Sequence, residues 1–215
     1  MAPRFITFEG LDGSGKSTHL RRASACLEKL GVNHLVTHEP GGTPLGEAIR
    51  QVFLDHEWTE MDGAVEALLV FASRRDHLVN TIEPALAQGK TVLCDRFTDS
   101  TIAYQGYGRG MALPMLKSLE QVATGGREPD LTLMFDLPAD AARARGFSKA
   151  ERADGADLDR LDVERLEFYE RVRMGYLELV EQNPDRIVVV DASGTIEDTE
   201  EQVRKFLSDL WEDEA

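Results

Sequence analysis

Five apolar, β-branched runs punctuate the chain, at residues 5–8, 34–37, 91–94, 131–137 and 186–190. Most are continuous rather than alternating, the pattern of strands covered on both faces. Between them apolar positions repeat by three and four. Leu20, Ala23, Leu27 and Leu30 trace one helix, and Gly31 follows as a stop signal. Leu68, Phe71, Arg75, Leu78 and Ile82 share one face of a second, which Pro84 kinks or ends before Gly89 closes the segment. Leu166, Tyr169, Val172, Tyr176 and Val180 mark a third, and Val203, Phe206, Leu207 and Leu210 the last. Strands alternating with helices predict an α/β fold, a five-stranded parallel sheet with right-handed crossovers and flanking helices.

No repeat, low-complexity tract or linker divides the 215 residues, so a single domain over 1–215 with an ample core is expected. One segment breaks the pattern. Residues 141–165 carry Arg143, Arg145, Lys149, Arg152, Arg160 and Arg165 among Asp154, Asp157, Asp159 and Asp162, with Gly146 and Gly155. This composition suits a solvated helical hairpin or a mobile lid over a charged ligand.

Charge narrows the range of partners. Lys plus Arg is 24 and Asp plus Glu is 39, a net charge of −15. Such a surface repels polyanions, so neither a nucleic acid nor an anionic membrane is an expected partner. Any bound phosphate must be held by a few local cations and backbone amides. No apolar run approaches the ~20 residues that span a bilayer, and the start of the chain lacks a signal-peptide pattern. Cys26 and Cys94 lie far apart in apolar settings and read as buried thiols of a reducing compartment, which points to the cytoplasm. Paired His or Cys ligands for zinc are absent.

The chemistry is concentrated after the first run. Glu9-Gly10-Leu11-Asp12-Gly13-Ser14-Gly15-Lys16-Ser17-Thr18 places Gly10, four residues, then Gly15-Lys16-Ser17, the P-loop pattern between a strand and a helix. Its glycines let consecutive backbone N–H groups turn around phosphate oxygens, and the helix beginning at Lys16 aims its positive end at the same anion. Lys16 supplies a point charge at the β and γ phosphates, and the Ser17 hydroxyl is placed to ligate Mg²⁺. The third run ends in Asp95, followed by Arg96. Ligands in such folds sit outside the carboxyl ends of the strands. Asp95 is therefore a second candidate for Mg²⁺, through water or through Ser17; an ion pair with a distant Arg is the alternative. The Asn-Lys-x-Asp guanine reader of a GTP switch is absent. A short α/β chain with an Arg-bearing insert before the last helices suggests a kinase of small molecules.

Over nearly its whole length the sequence resembles the bacterial thymidylate kinases. The resemblance rests on Phe8-Glu9-Gly10 through Thr18, His38-Glu39-Pro40-Gly41-Gly42-Thr43, Phe71-Ala72-Ser73-Arg74-Arg75, Asp95-Arg96-Phe97, Ala103-Tyr104-Gln105-Gly106 and Asp159-Arg160-Leu161-Asp162, in that order. It implies a P-loop NTPase fold with a mobile lid at about 141–162. The implied reaction is transfer of the γ-phosphoryl of ATP to dTMP with Mg²⁺, by a homodimer whose contact includes the helix of residues 64–82. Residues 10–18 would bind ATP. Phe71 would stack on thymine and Arg75, one turn on, would donate to a thymine carbonyl; core packing is the competing role for Phe71. Arg50 and Arg96 would grip the acceptor phosphate beside Pro40. Asp12 and Glu9 would sit at the same crevice. Ser100, Thr101, Tyr104 and Gln105 would line sugar and base, the Tyr104 ring excluding a ribose 2′-hydroxyl and Gln105 bonding thymine directly or through water.

Some members of the family carry a basic residue inside the P-loop where Gly13 and Ser14 stand here. The resemblance therefore implies that lid arginines supply the transition-state cation, Arg152 and Arg160 first, with Arg145 behind them. The adenine pocket is expected at lid residues and at 192–195, where Thr195 with Asp198 also reads as a plain helix cap. The competing functions are a nucleoside monophosphate kinase with another acceptor base, and a nucleotide-binding regulator with no acceptor.

Overall fold

The computed structural model describes residues 2–152, 160–161 and 164–212, with backbone alone for 147–152 and 211–212. Among these residues five strands form one parallel sheet. They are β1 (Phe5–Gly10), β2 (His34–His38), β3 (Thr91–Asp95), β4 (Leu131–Asp136) and β5 (Ile187–Asp191), in the order β2-β3-β1-β4-β5. β1 lies at the centre, with Phe8 beside Asp95 of β3 and Leu133 of β4. Every residue of β1 is buried. Ile6 and Phe8 join the larger core on one face of the sheet with Leu93, and Phe5 joins a smaller one on the other with Val92 and Cys94. Burial on both faces is why these strands read as continuous apolar runs.

The helices are α1 (Lys16–Lys29), α2 (Pro44–Leu54), α3 (Gly63–His77), α4 (Glu83–Ala87), α5 (Thr98–Thr101), α6 (Leu113–Thr124), α7 (Ala139–Arg152), α8 (Leu166–Gln182) and α9 (Ile196–Glu212). α1 stops one residue before the expected Leu30, which is exposed, while Gly31 takes the left-handed conformation of a stop. Cys94 is buried as expected, whereas Cys26 is only half-buried.

Two departures from α-helical periodicity matter for the site. α3 passes into a π-helical turn at Leu78–Ile82, and α5 into another at Ile102–Gly108. Such turns add a residue and rotate everything beyond them relative to an ideal helix. The buried face of α3 consists of Glu66, Ala67, Val70, Phe71, Ser73, Arg74 and His77. Leu68 and Arg75, both placed on the inner stripe by the sequence pattern, face solvent instead. No described helix is long and apolar enough to cross a membrane.

Candidate active site

β1 ends in Gly10, and the chain turns through residues 11–15 before α1 starts at Lys16. Gly10 and Gly13 have φ of 132° and 84°, conformations L side chains rarely adopt, and a Cβ on Gly13 would lie 2.0 Å from the Ala142 carbonyl oxygen on α7. The Lys16 ammonium donates to the Leu11 carbonyl at 2.8 Å and lies 3.7 Å from Asp12 Oδ1. Burial and the nearby Arg96 charge lower its pKa, against the opposing pull of Asp12, Asp95 and Glu9. The buried Ser14 hydroxyl has no hydrogen-bond partner among the described residues. Ser17 Oγ donates to Asp95 Oδ2 at 2.7 Å, joining the two expected metal residues. One hydroxyl and one carboxylate fit Mg²⁺, which keeps several waters and takes other ligands from substrate phosphates. Among the described residues no group of three or more His, Cys, Asp or Glu forms an all-protein metal cage.

Beside this loop lies a cleft walled by Asp12, Arg50, Arg74, Arg96, Tyr104 and Gln105, with Pro40, Ser100 and Thr101. Arg96 is its hub. It holds φ at 74°, a strained backbone for a long side chain that its contacts must stabilise. Its Nη2 donates to Asp12 Oδ1 at 2.7 Å and to the Tyr104 hydroxyl at 3.2 Å. Its Nη1 donates to Ser100 Oγ at 2.9 Å and to the Tyr176 hydroxyl at 3.2 Å. The guanidinium also lies 4.9 Å over the Tyr104 ring. Desolvation alone would raise the Asp12 pKa, but the Arg96 and Lys16 charges, with hydrogen bonds from Arg96 and Tyr104, hold it well below the usual carboxylate range. Asp12 therefore stays a fixed anion between Arg96 and Lys16.

Glu9 sits behind this layer, with no exposed surface. It accepts from the Phe97 amide at 2.6 Å, from the Tyr176 hydroxyl at 3.0 Å and from the Ser100 hydroxyl. Burial first, then the Asp99 charge, raises its pKa to about 7. Glu9 thus supports Ser100 and Tyr176 and does not line the cleft. The sequence pattern marked Tyr176 only as part of the apolar stripe of α8, yet its hydroxyl reaches Arg96, Ser100 and Glu9; helical spacing cannot tell such a tyrosine from a core one.

α2 and α3 form the opposite wall. Arg50 lines the cleft and donates to the Pro40 carbonyl at 3.0 Å. Phe71 and Arg75 require a correction. The helix presents Val70 and Arg74 to the cleft, the same four-residue spacing one position earlier. Phe71 packs into the core, and Arg75 is exposed with Nη1 3.4 Å from the Ala123 carbonyl. Arg74 is 1% exposed. It donates from Nε to Glu39 Oε2 at 2.7 Å, from Nη1 to Thr101 Oγ1 at 3.0 Å and from Nη2 to the Phe97 carbonyl at 2.9 Å, and its guanidinium lies 5.1 Å over each of the Phe71 and Phe97 rings. Glu39 is held from the other side by His77 Nδ1 at 2.9 Å. The Glu-Pro-Gly-Gly-Thr motif signalled Glu39; Arg74 was visible only as the neighbour of Arg75.

Arg160 also needs a correction. It was expected to supply a cation to the transferred group, but it is buried at the root of the segment. It donates to the Phe53 carbonyl at 2.5 Å and to Glu66 Oε1 at 2.7 Å, and stacks 4.7 Å over the Phe53 ring. These contacts tether the end of the expected lid to α2 and α3. The side chain of Arg152, on the last turn of α7, and most of the lid beyond it lie outside the described residues. Arg145 donates to the Ala192 carbonyl at 3.1 Å. It lines a second cleft with Gly13, Thr18, His19, Gly194 and Thr195, at the position expected for adenine. Thr195 and Asp198 also form the helix cap, each side chain accepting from the other residue's backbone amide, at 3.1 and 3.0 Å. The loop therefore both caps the helix and lines this cleft.

The geometry is thus a glycine-rich loop between strand and helix with an arginine-lined cleft on one side and a polar cleft on the other. A family model described as thymidylate kinase matches residues 8–203. A thymidylate kinase of Syntrophotalea carbinolica is 46% identical over 194 residues, 90% of each chain. One of Nitrosospira multiformis is 46% identical over 211 residues, 98% of this chain and 100% of the relative. The crystal structure of a thymidylate kinase from Ehrlichia chaffeensis superimposes with a TM-score of 0.77 at 36% identity, covering 97% of this chain and 99% of that one.

Proposed function

The chain belongs to the thymidylate kinase family, and from that premise we propose how its residues carry out the family's reaction. It is a P-loop phosphotransferase that moves the γ-phosphoryl group of ATP onto dTMP, giving ADP and dTDP. In the proposal ATP lies on residues 10–18 with its base in the cleft of His19, Arg145 and Thr195, and dTMP occupies the cleft of Arg50, Arg74 and Arg96. The observation that carries this reading is Arg96, locked between Asp12 of the phosphate loop and Tyr104 of the cleft wall, where one cation serves both anions.

An acceptor phosphate oxygen forms a bond to the γ-phosphorus as the bond to the β–γ bridging oxygen breaks. The attacking oxygen is already ionised, so no strong base is needed. Catalysis is positioning and charge stabilisation. Arg50 and Arg96 offset the repulsion between the two substrates, Lys16 and the loop amides face the transferring group, and Asp12 keeps Arg96 and Lys16 in place. Ser17 and Asp95 would hold Mg²⁺, which supplies further neutralisation of the β and γ oxygens. Arg74 has five N–H groups, three of them committed to protein; the remaining two would serve the base carbonyl assigned above to Arg75. Arg152, with Arg145 behind it, is the lid's candidate cation. Residues 1–215 would act as one kinase domain with its lid at about 141–162, in the cytoplasm, as a homodimer joined through the exposed Val65 and Leu68 of α3.

A coupled assay with ATP, Mg²⁺ and dTMP, dUMP, UMP, CMP, AMP or GMP tests the assignment. Turnover is expected with dTMP well above the others. Equal turnover with another base, or ATP hydrolysis that no acceptor stimulates, would overturn it. Light scattering in solution tests the dimer.

A further inference from the structure

We infer that Glu66, which lies outside every motif named above, is a positioning residue for base selection, holding the Gln105 amide so that only its oxygen faces the acceptor cleft. Glu66 lies on α3 with no exposed surface and does not line the cleft, whereas Gln105 does. Its two carboxylate oxygens have separate tasks. Oε1 accepts from Arg109 Nε at 3.0 Å and Arg160 Nη1 at 2.7 Å. Oε2 accepts from Gln105 Nε2 at 2.7 Å. A carboxylate facing two guanidinium groups only accepts hydrogen bonds, so the end of the amide turned toward it must be the NH₂. The oxygen is the end left over, and among the described residues no donor reaches it. The main chain of Gln105 is fixed separately, its backbone carbonyl accepting from the Met111 amide at 3.0 Å.

The consequence rests on the reading above, in which dTMP fills this cleft and Gln105 faces its base. A fixed acceptor matches the N3–H of a thymine or uracil ring. It opposes the bare N3 lone pair of a cytosine ring, where two acceptors would meet in a closed site. An amide free to rotate would serve either ring; an amide pinned by Glu66 serves one. The same carboxylate ties Arg160, at the root of the lid, to the residue that reads the base.

The test compares dTMP with 5-methyl-dCMP, which differ only at N3 and C4, as acceptors for the wild-type enzyme, Glu66→Gln and Gln105→Met. The wild type is expected to favour dTMP. Glu66→Gln, whose new amide lets Gln105 turn over, is expected to shrink the ratio of kcat/KM values at least ~10-fold with KM for ATP unchanged. A loss of stability alone would lower both acceptors together and leave the ratio where it was. If Glu66→Gln keeps the full ratio while Gln105→Met loses it, Gln105 reads the base but Glu66 does not position it, and the inference fails alone. If Gln105→Met also keeps the ratio, the placement of Gln105 against the base fails first. Should Glu66→Gln not fold, Glu66→Gln with Arg109→Gln removes one cation left without its counter-charge, and the same ratio decides.

Discussion

Replacing Arg74 by Met and, separately, Arg75 by Ala separates two residues that the sequence alone treats as near-equivalents. Arg74→Met keeps most of the apolar stem but removes three hydrogen bonds, to Glu39, Thr101 and the Phe97 carbonyl. It leaves the Glu39 carboxylate, 1% exposed, with His77 as its remaining side-chain partner. Breaking a buried ion pair from one side costs about 3–5 kcal/mol. For a chain of this length each kcal/mol lowers Tm by about 2–4 °C, so a drop of roughly 6–20 °C is expected. Arg75 is exposed, and among the described residues its side chain makes one hydrogen bond, of 3.4 Å to the Ala123 carbonyl, so Arg75→Ala should stay within about 0.5 kcal/mol of wild type. Melting curves measure the first effect. Initial rates below the Arg74→Met transition measure the second, where KM for dTMP should rise ~10-fold or more through the lost charged donor while KM for ATP holds. The reasoning is refuted if Arg75→Ala raises KM for dTMP and Arg74→Met, still folded, does not.

Three further outcomes follow from the same geometry. Lys16→Ala should lower kcat by ~10²–10³ with little change in Tm; single-turnover rates check it, and near-wild-type turnover would remove Lys16 from the reaction. Gly13→Ala puts a Cβ 2.0 Å from the Ala142 carbonyl oxygen at a φ of 84°, so calorimetry with ATP should show weakened binding alongside reduced stability. Glu9 titrates near 4.5 when unfolded and at about 7 when folded, so the folded state binds more protons between those values. Its contribution is therefore largest below pH 4.5, falls as pH rises toward 7, and amounts to about 3 kcal/mol across that range. The lowered pKa of Asp12 acts in the opposite sense and only at more acidic pH, where falling pH removes its contribution. Denaturant titrations at pH 5 and pH 8 should show the wild type losing stability relative to Glu9→Gln; a constant difference would rule out the buried titration.

The one-dimensional pattern was sufficient for the sheet, since strands buried on both faces must be apolar throughout, and for the phosphate loop, whose glycines and lysine are adjacent in the chain. It also pointed Ser17, Asp95 and Arg96 at one crevice, because this topology gathers its ligands beyond the carboxyl ends of the strands; Ser100 and Tyr104 were implied by the family resemblance, and only the folded chain shows their bonds to Arg96. The phase of α3 was decided in three dimensions. Leu68 and Arg75 fit an inward stripe by spacing, yet Ala67, Val70 and Arg74 turn inward, and the π turn at Leu78–Ile82 breaks the period on which the extrapolation relied. A shift of one residue costs little in apolar content when Val70 and Phe71 are both hydrophobic, so composition could not choose between them. The fates of Arg160 and Glu66 were equally hidden. Nothing local distinguishes an arginine that reaches for substrate from one that closes a buried ion pair 94 residues away in sequence; only packing brings the carboxylate to it.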